Sequence, residues 1–367
     1  MPDGSASLES SLAIMSAAFG VDPGGKPVDP AKRVDEHFAA LHEWVTATPD
    51  KPSPMEQAIA KIGQVYANFN QVANSPSQGQ ALVGIMAASG ATGATGGGTP
   101  AQQLQDLTRT MPPQVAPILQ TVSTSATRVA ASGASQELSD AWRTKVVPLC
   151  EAALARYPLV QASATDTQLD DFVALLGPSG QIDKFFDQYL KPFVDTTQRP
   201  WKWQAASQAP LGLSAASLAE FDRAAQIRES LFANGNAVQV KFQLTPINLD
   251  PAVGQISIDI GGKTLVDSHG PVEPVQFQWP GPDGKTAVRV TMTPASGGNA
   301  DVSDFNGPWA LLRMLDKAKI TPTGQPDKFK IQFTGGGGTS TLDLVASSVR
   351  NPFNLTALHS FRCPPKL

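Results

Sequence analysis

Gly262-Lys263-Thr264 has the residue types that close a phosphate-binding loop, where backbone N–H groups cradle a phosphate and a lysine reaches it. That loop needs a glycine five positions earlier and a helix behind it. Ser257 stands in the glycine's place and the surrounding pattern is that of two strands, so a hairpin is the reading. Gly335–Gly338 is likewise followed by a strand pattern and reads as a hairpin tip. Gly177-Pro178-Ser179-Gly180 lacks the spacing of a nucleophile elbow and joins two helical patterns, which makes it an interhelix turn. His37 and His42 are five apart, on different helix faces, where a zinc pair would be four apart. His269 and His359 are isolated in sequence. The adjacent acids Asp35-Glu36 and Asp170-Asp171 diverge by about 100° on a helix and cannot share one proton-transfer site. Trp279, Trp309, Phe353 and Phe361 could form a sugar-stacking platform, but Trp279 alternates in phase with Val275 and Phe277, which favours a core position. The residues therefore point to no catalytic, metal or cofactor site.

The chain of 367 residues exceeds one ordinary core and suggests at least two units. With 41% hydrophobic and 16% charged residues it can fold, and a net charge of −4 without a basic block argues against nucleic acid as a partner. No run of 18 apolar residues occurs. The most apolar stretch, Ala81–Ala88, gives way to Ser89-Gly90, so no membrane span is expected within the chain. The start lacks the charged and apolar regions of a secretion signal, which leaves a cytosolic protein or a piece of a longer one. Cys150 and Cys363 are either two buried thiols or one long-range bridge. Taken alone, the sequence leans to thiols, because free cysteine is commonly a small buried hydrophobe.

The elements follow from periodicity. From Asp29 to about Phe232 the pattern is helical, with 29–156 and 169–232 as its two parts within a helical domain 1–234. Val34, Phe38, Leu41 and Val45 share one face behind Asp29-Pro30. Ser53-Pro54-Met55-Glu56 is a capping box that opens a stripe through Ile59, Ile62, Tyr66, Phe69 and Val72. Residues 90–100 read as a Gly/Thr-rich loop, followed by helices over 101–110, 112–132 and 135–156, the last kinked at Pro148. After a last helix over Ser214–Phe232, Asn234-Gly235 is a stop signal, and the period falls to two. Six strands alternate at 238–244, 256–260, 275–279, 288–292, 329–333 and 342–346, with hairpin signals at Gly261-Gly262 and Asp283-Gly284. A helix after Gly307-Pro308-Trp309 interrupts them. The expected fold is α+β: an all-helical domain, then an antiparallel β-sandwich over 236–367 with one interrupting helix.

Several strings in fixed order resemble the IcmF/TssM family of bacterial type VI secretion. They are Cys150 with Arg156-Tyr157-Pro158, Asp171-Phe172 with Gly177-Pro178-Ser179-Gly180, and Phe185-Phe186 through Tyr189-Leu190 to Phe193-Val194-Asp195. Phe221 with Ala224 and Ile227-Arg228, Trp279-Pro280-Gly281, Gly307-Pro308-Trp309-Ala310-Leu311, Asn351-Pro352-Phe353 and Phe361-Arg362-Cys363-Pro364 complete the series. Leu159 and Leu231-Phe232 depart slightly from it. The resemblance implies the C-terminal periplasmic part of an inner-membrane anchor, a non-enzymatic scaffold whose sandwich contacts the outer-membrane lipoprotein TssJ. It implies TssL and further copies of the chain as partners in the full complex, with membrane contact only through segments outside this chain. It also reverses the cysteine reading, since the periplasm is oxidising and a Cys150–Cys363 bridge becomes the expectation. A peptidoglycan-binding module is the alternative function, resting on the four aromatics.

Overall fold

The computed structural model describes residues 30–90, 98–233, 235–354 and 356–367, with side chains outside 30–37, 90, 205–207 and 354. The expected cap at Asp29, the centre of the Gly/Thr loop and Asn234 lie outside the described residues. The chain divides into two compact units, Met1–Ala134 and Ser135–Leu367. The family strings all fall in the second.

In the first unit, α1 is Pro30–Val45, α2 Pro54–Ala73, α3 Gln78–Gly90 and α4 Pro100–Leu107, the last followed by one 3₁₀ turn. Both α2 and α4 begin with reciprocal capping boxes, Ser53 with Glu56 and Thr99 with Gln102, each followed by proline. These motifs satisfy N–H groups that a helix start leaves orphaned. On α2 the buried face is Ala58, Val65 and Val72, whereas Ile59 and Tyr66 of the expected stripe are 58% and 73% exposed. The packing turns the helix about one residue from the face that large side chains suggest. Small Ala58 admits Leu104 and Leu119 at close range, with Ile62 beside them. The helices expected at 112–132 and 135–156 are instead α5, Ala116–Lys145, and α6, Val147–Leu154. α5 passes through Gly133, where a Cβ would overlap Leu82 Cδ1, so this glycine serves close packing and does not end the helix. The break comes at Val146, and Pro148 occupies the first turn of α6, where its missing N–H costs nothing.

The second unit continues with α7, Leu169–Leu176, and α8, Gln181–Phe185, which runs on through a π turn and a 3₁₀ turn to Phe193. A small ribbon pairs β1, Val194–Asp195, with β2, Lys202–Trp203. Helices α9, Ala205–Leu211, and α10, Ala215–Leu231, complete the helical part, and Ser214 caps α10. Trp142, Phe185, Tyr189 and Phe221 form its aromatic core, with ring centroids 4.9 to 6.1 Å apart.

The sandwich consists of β3 Val240–Leu249, β4 Val253–Ile260, β5 Lys263–Asp267, β6 Val275–Trp279, β7 Val288–Pro294, β8 Asp301–Phe305, β9 Lys319–Pro322, β10 Lys328–Gly335 and β11 Gly338–Ala346. One sheet has the order β6-β3-β11-β10-β9 and the other β5-β4-β7-β8, with every pairing antiparallel. The alternating residues read from the sequence line the interior: Phe242 and Leu244, Ile256, Ile258 and Ile260, Val290, Ile331, Leu342 and Leu344 are all buried. Gly261-Gly262 turns β4 into β5, and Gly336-Gly337 turns β10 into β11, each pair at positive φ as a tight hairpin requires. Asp283-Gly284 does something else. It lies between β6 and β7, which belong to different sheets, so this turn carries the chain across the sandwich. Gly281 and Gly261 pack backbone to backbone there, leaving no room for side chains. Helix α11, Ala310–Lys317, buries Ala310, Leu311, Leu312, Met314 and Leu315 against β7, β8 and β9, and α12, Thr356–Ser360, follows the last strand.

Candidate docking interface

Three sets of contacts hold the sandwich to the helical part of its own unit. The first is the segment 361–367, which returns to the helices. Trp142 Nε1–H donates to Pro364 O at 2.8 Å in a buried contact, Ser217 Oγ to Lys366 O at 2.8 Å, and Arg362 N–H to Glu220 Oε2 at 2.8 Å. Cys150 and Cys363 face each other here with Cα atoms 6.1 Å apart, inside the range a disulfide spans, and Cys150 is fully buried.

The second set gathers around Tyr157. Trp309 Nε1–H, just before α11, donates to Thr167 O at 2.7 Å, and Phe172 packs edge-on against the indole. Arg313 on α11 donates to Asp166 Oδ1 through Nε at 3.0 Å and through Nη2, reaches Ser163 O at 3.1 Å, and lies 4.0 Å over the Tyr157 ring. This is a fork on a carboxylate with a cation over an aromatic face, two arrangements that suit guanidinium.

Asp316 on the same helix accepts from Tyr157 Oη at 2.8 Å and Gln161 Nε2 at 3.0 Å, with His359 Nε2 3.5 Å away. The other ring nitrogen of His359 sits 2.9 Å from Pro158 O, an acceptor, so Nδ1 carries a proton. Burial works to raise the Asp316 carboxyl, but contacts from His359 and Tyr157 outweigh it and hold it below its ordinary value. The Asp316 carboxylate in turn holds the His359 imidazolium above its ordinary range against the pull of burial. Burial, with Asp316 beside it, raises the Tyr157 phenol.

The third set is ionic. Arg199 reaches Asp222 at 3.1 Å and Glu229 at 2.8 Å, and Glu229 meets Arg350 from the segment after β11. None of these partners is near another in sequence, and no spacing rule could have paired them. The nearest signals were the strings around Arg156-Tyr157-Pro158 and Phe361-Arg362-Cys363-Pro364, which flank the junction.

The other sequence candidates are dispersed. Trp279 and Trp309 are fully buried, Phe353 and Phe361 nearly so, and Trp279 Nε1–H is spent on Thr286 O, so no ring face is open to a sugar. His269 Nε2 contacts Val253 O at 2.7 Å, His42 is exposed in the last turn of α1, and the side chain of His37 is outside the described residues. Asp170 and Asp171 occupy the first turn of α7, where the helix dipole favours acids. Among the described residues no group of three or more His, Cys, Asp or Glu could hold a metal ion, and no helix is long and apolar enough to cross a membrane.

This arrangement of helical part, strap and sandwich has relatives. Residues 133–237 match the family described as the type VI secretion protein IcmF helical domain, and residues 242–348 match the type VI secretion protein IcmF C2-like domain. The chain belongs to the IcmF/TssM family. It represents the C-terminal region, as the ordered strings implied. The type VI secretion system component TssM1 of Pseudomonas aeruginosa is 31% identical over 338 residues, 91% of this chain but only 30% of that protein, so the chain spans less than a third of its relative's length. A type VI secretion system membrane core complex contains a chain with TM-score 0.66 and 18% identity, covering 90% of this chain and 70% of that one. A TssM C-terminal domain from EAEC aligns with TM-score 0.53 and 20% identity over 63% of this chain and 95% of that domain. At these identities the structures establish a shared fold.

The matches and the compact units divide the chain differently. The family descriptions meet between residues 237 and 242, at the change from helix to strand, whereas the compact units separate at 134/135. The junction explains this. Arg313, Asp316 and the strap make the helical part 135–232 and the sandwich pack as one body.

Proposed function

We propose that this chain is a non-catalytic scaffold of a type VI secretion membrane complex, working in the periplasm. Its sandwich docks the outer-membrane lipoprotein TssJ, while the helices lead toward the inner-membrane parts of the complex, where TssL and further copies of the chain are its partners. The observation that carries this reading is the junction, considered together with family membership. A sandwich fastened by a return strap, an arginine fork and an ion network is suited to transmitting position and force between two attachments. A Cys150–Cys363 bridge belongs to the same proposal, because an oxidising compartment would make the strap covalent.

The test is a calorimetric titration of the whole chain with the soluble part of the lipoprotein encoded beside it. Saturable one-to-one binding is the expected result. No heat at two temperatures, with no co-migration on gel filtration, would overturn the docking role. Tryptophan fluorescence quenching by peptidoglycan fragments would favour the glycan alternative, a result the buried aromatics argue against.

A further inference from the structure

We propose that β8 and the cleft beside it form a strand-addition site, in which an extended segment of the docking partner pairs with the free edge of β8, seats an apolar side chain in the cleft and sets a carboxylate against Lys317 and Lys319. This rests on the docking reading above and assigns it a surface. Among the described residues β8 is hydrogen-bonded to β7 alone and forms one edge of its sheet. Asp301 through Asp304 are exposed, with Val302 at 52%.

Edge strands are ordinarily guarded by charge, proline or brevity. Of the two edges that flank the cleft, β9 is so guarded, being four residues long and carrying Lys319 and Pro322. β8 has neither lysine nor proline, and its two carboxylates are engaged internally. Asp301 Oδ2 accepts from Gly336 N–H at 2.6 Å, and Asp304 is paired with Arg289 Nε at 2.5 Å. Asp304 therefore has a cation beside it and Asp301 has one oxygen turned onto a backbone amide.

Beside this edge the two sheets part around α11, leaving a cleft of about 210 Å³. Met292, Met314 and Phe333 form its apolar floor with Phe305 of β8 half-buried beside them, while Asp301, Ser303, Gln332 and Thr334 supply polar walls. That volume is several times the roughly 30 Å³ of a water molecule and admits a side chain. Lys317 and Lys319 stand exposed at the rim, and among the described residues neither has an ion-pair partner. Asp304 is matched by Arg289 while Asp301 keeps its negative charge beside the cleft, so the two lysines leave the rim with a net positive charge. The fitting occupant is thus a strand with an acidic residue close to an apolar one, in the manner of β-augmentation, where main-chain pairing supplies affinity and side-chain pockets supply selectivity.

Hydrogen exchange of the whole chain, alone and saturated with the soluble lipoprotein, tests this, together with titration of the Lys317→Glu/Lys319→Glu double variant. The expected result is new protection of the amides at 301–305 and at least a tenfold loss of affinity in the double variant. Both substitutions lie on exposed side chains, and an unchanged melting temperature verifies folding. Binding with protection elsewhere and unaltered affinity in the variant would overturn the β8 site while leaving docking intact. Absence of any binding would overturn docking and the site together. Protection of 301–305 that grows with chain concentration in the absence of lipoprotein would assign the edge to a second copy of the chain and overturn the proposal.

Discussion

Replacing Arg313 with alanine examines whether the helical part and the sandwich unfold as one body. The substitution removes the fork on Asp166, the contact with Ser163 O and the cation over Tyr157. Asp166 is left with a side chain only 12% exposed, while the lost guanidinium was 26% exposed. Removing one partner of a buried pair costs about 3–5 kcal/mol, and the partial exposure of the arginine places this case near the low end, at about 3 kcal/mol. For a unit the size of Ser135–Leu367, each 1 kcal/mol moves Tm by about 2–4 °C, so the expected fall is roughly 6–12 °C. Differential scanning calorimetry of the whole chain reads it. Arg313→Lys keeps the charge without the fork and is expected to recover about half of the loss. The decisive feature is that the transition containing the sandwich moves as a whole. A shift under about 1 °C, or a split in which only the sandwich or only the helices melt early, would refute the coupling argument.

Three further outcomes follow from the same contacts. Intact mass of the unreduced protein should be 2 Da below the reduced form, in line with loss of two hydrogens on forming the Cys150–Cys363 bridge, and Cys363→Ser should cost roughly 4 kcal/mol in urea unfolding; alkylation of both thiols in unreduced, denatured protein would contradict the bridge. His359 has its pKa raised in the fold by Asp316, so its contribution is fully present below about pH 6.5 and is lost as pH rises through the elevated folded value. The urea midpoint difference between the native chain and His359→Gln should accordingly shrink as pH rises above about 6.5, and a difference that stays constant or grows would show that the imidazolium is not what Asp316 holds. Ser53→Ala deletes one capping box and should destabilise only the first unit, by about 1 kcal/mol, detectable as faster amide exchange along Pro54–Ala73 with the melting of the second unit unmoved.

Local chemistry determined much of this protein from its sequence. The capping box at Ser53, the hairpin glycines at 261–262, and the alternation in β3, β4, β7, β10 and β11 are decided by neighbours within a few residues, and they stand where periodicity put them. The short β1–β2 ribbon and the sandwich strands β8 and β9 were not legible, and β5 was implied only by the hairpin glycines before it. β8 and β9 are sheet edges with little burial on either face, so no period of two marks them, and four of the five β8 residues face solvent; β6, an edge with one buried face, does alternate. The buried face of α2 keeps Ile62 and Val72 of the expected stripe but turns Ile59 and Tyr66 to solvent. Large apolar side chains mark an available stripe, but the partner helices chose the face where Ala58 lets them approach. The sequence also placed Cys150, Tyr157, Trp309 and Cys363 within recognisable strings without saying what they touch. Contacts such as Trp142 with Pro364, Tyr157 with Asp316 and Trp309 with Thr167 join residues 142 to 222 positions apart. Such pairings depend on how finished elements pack, a property of shape in three dimensions that no periodicity along the chain encodes.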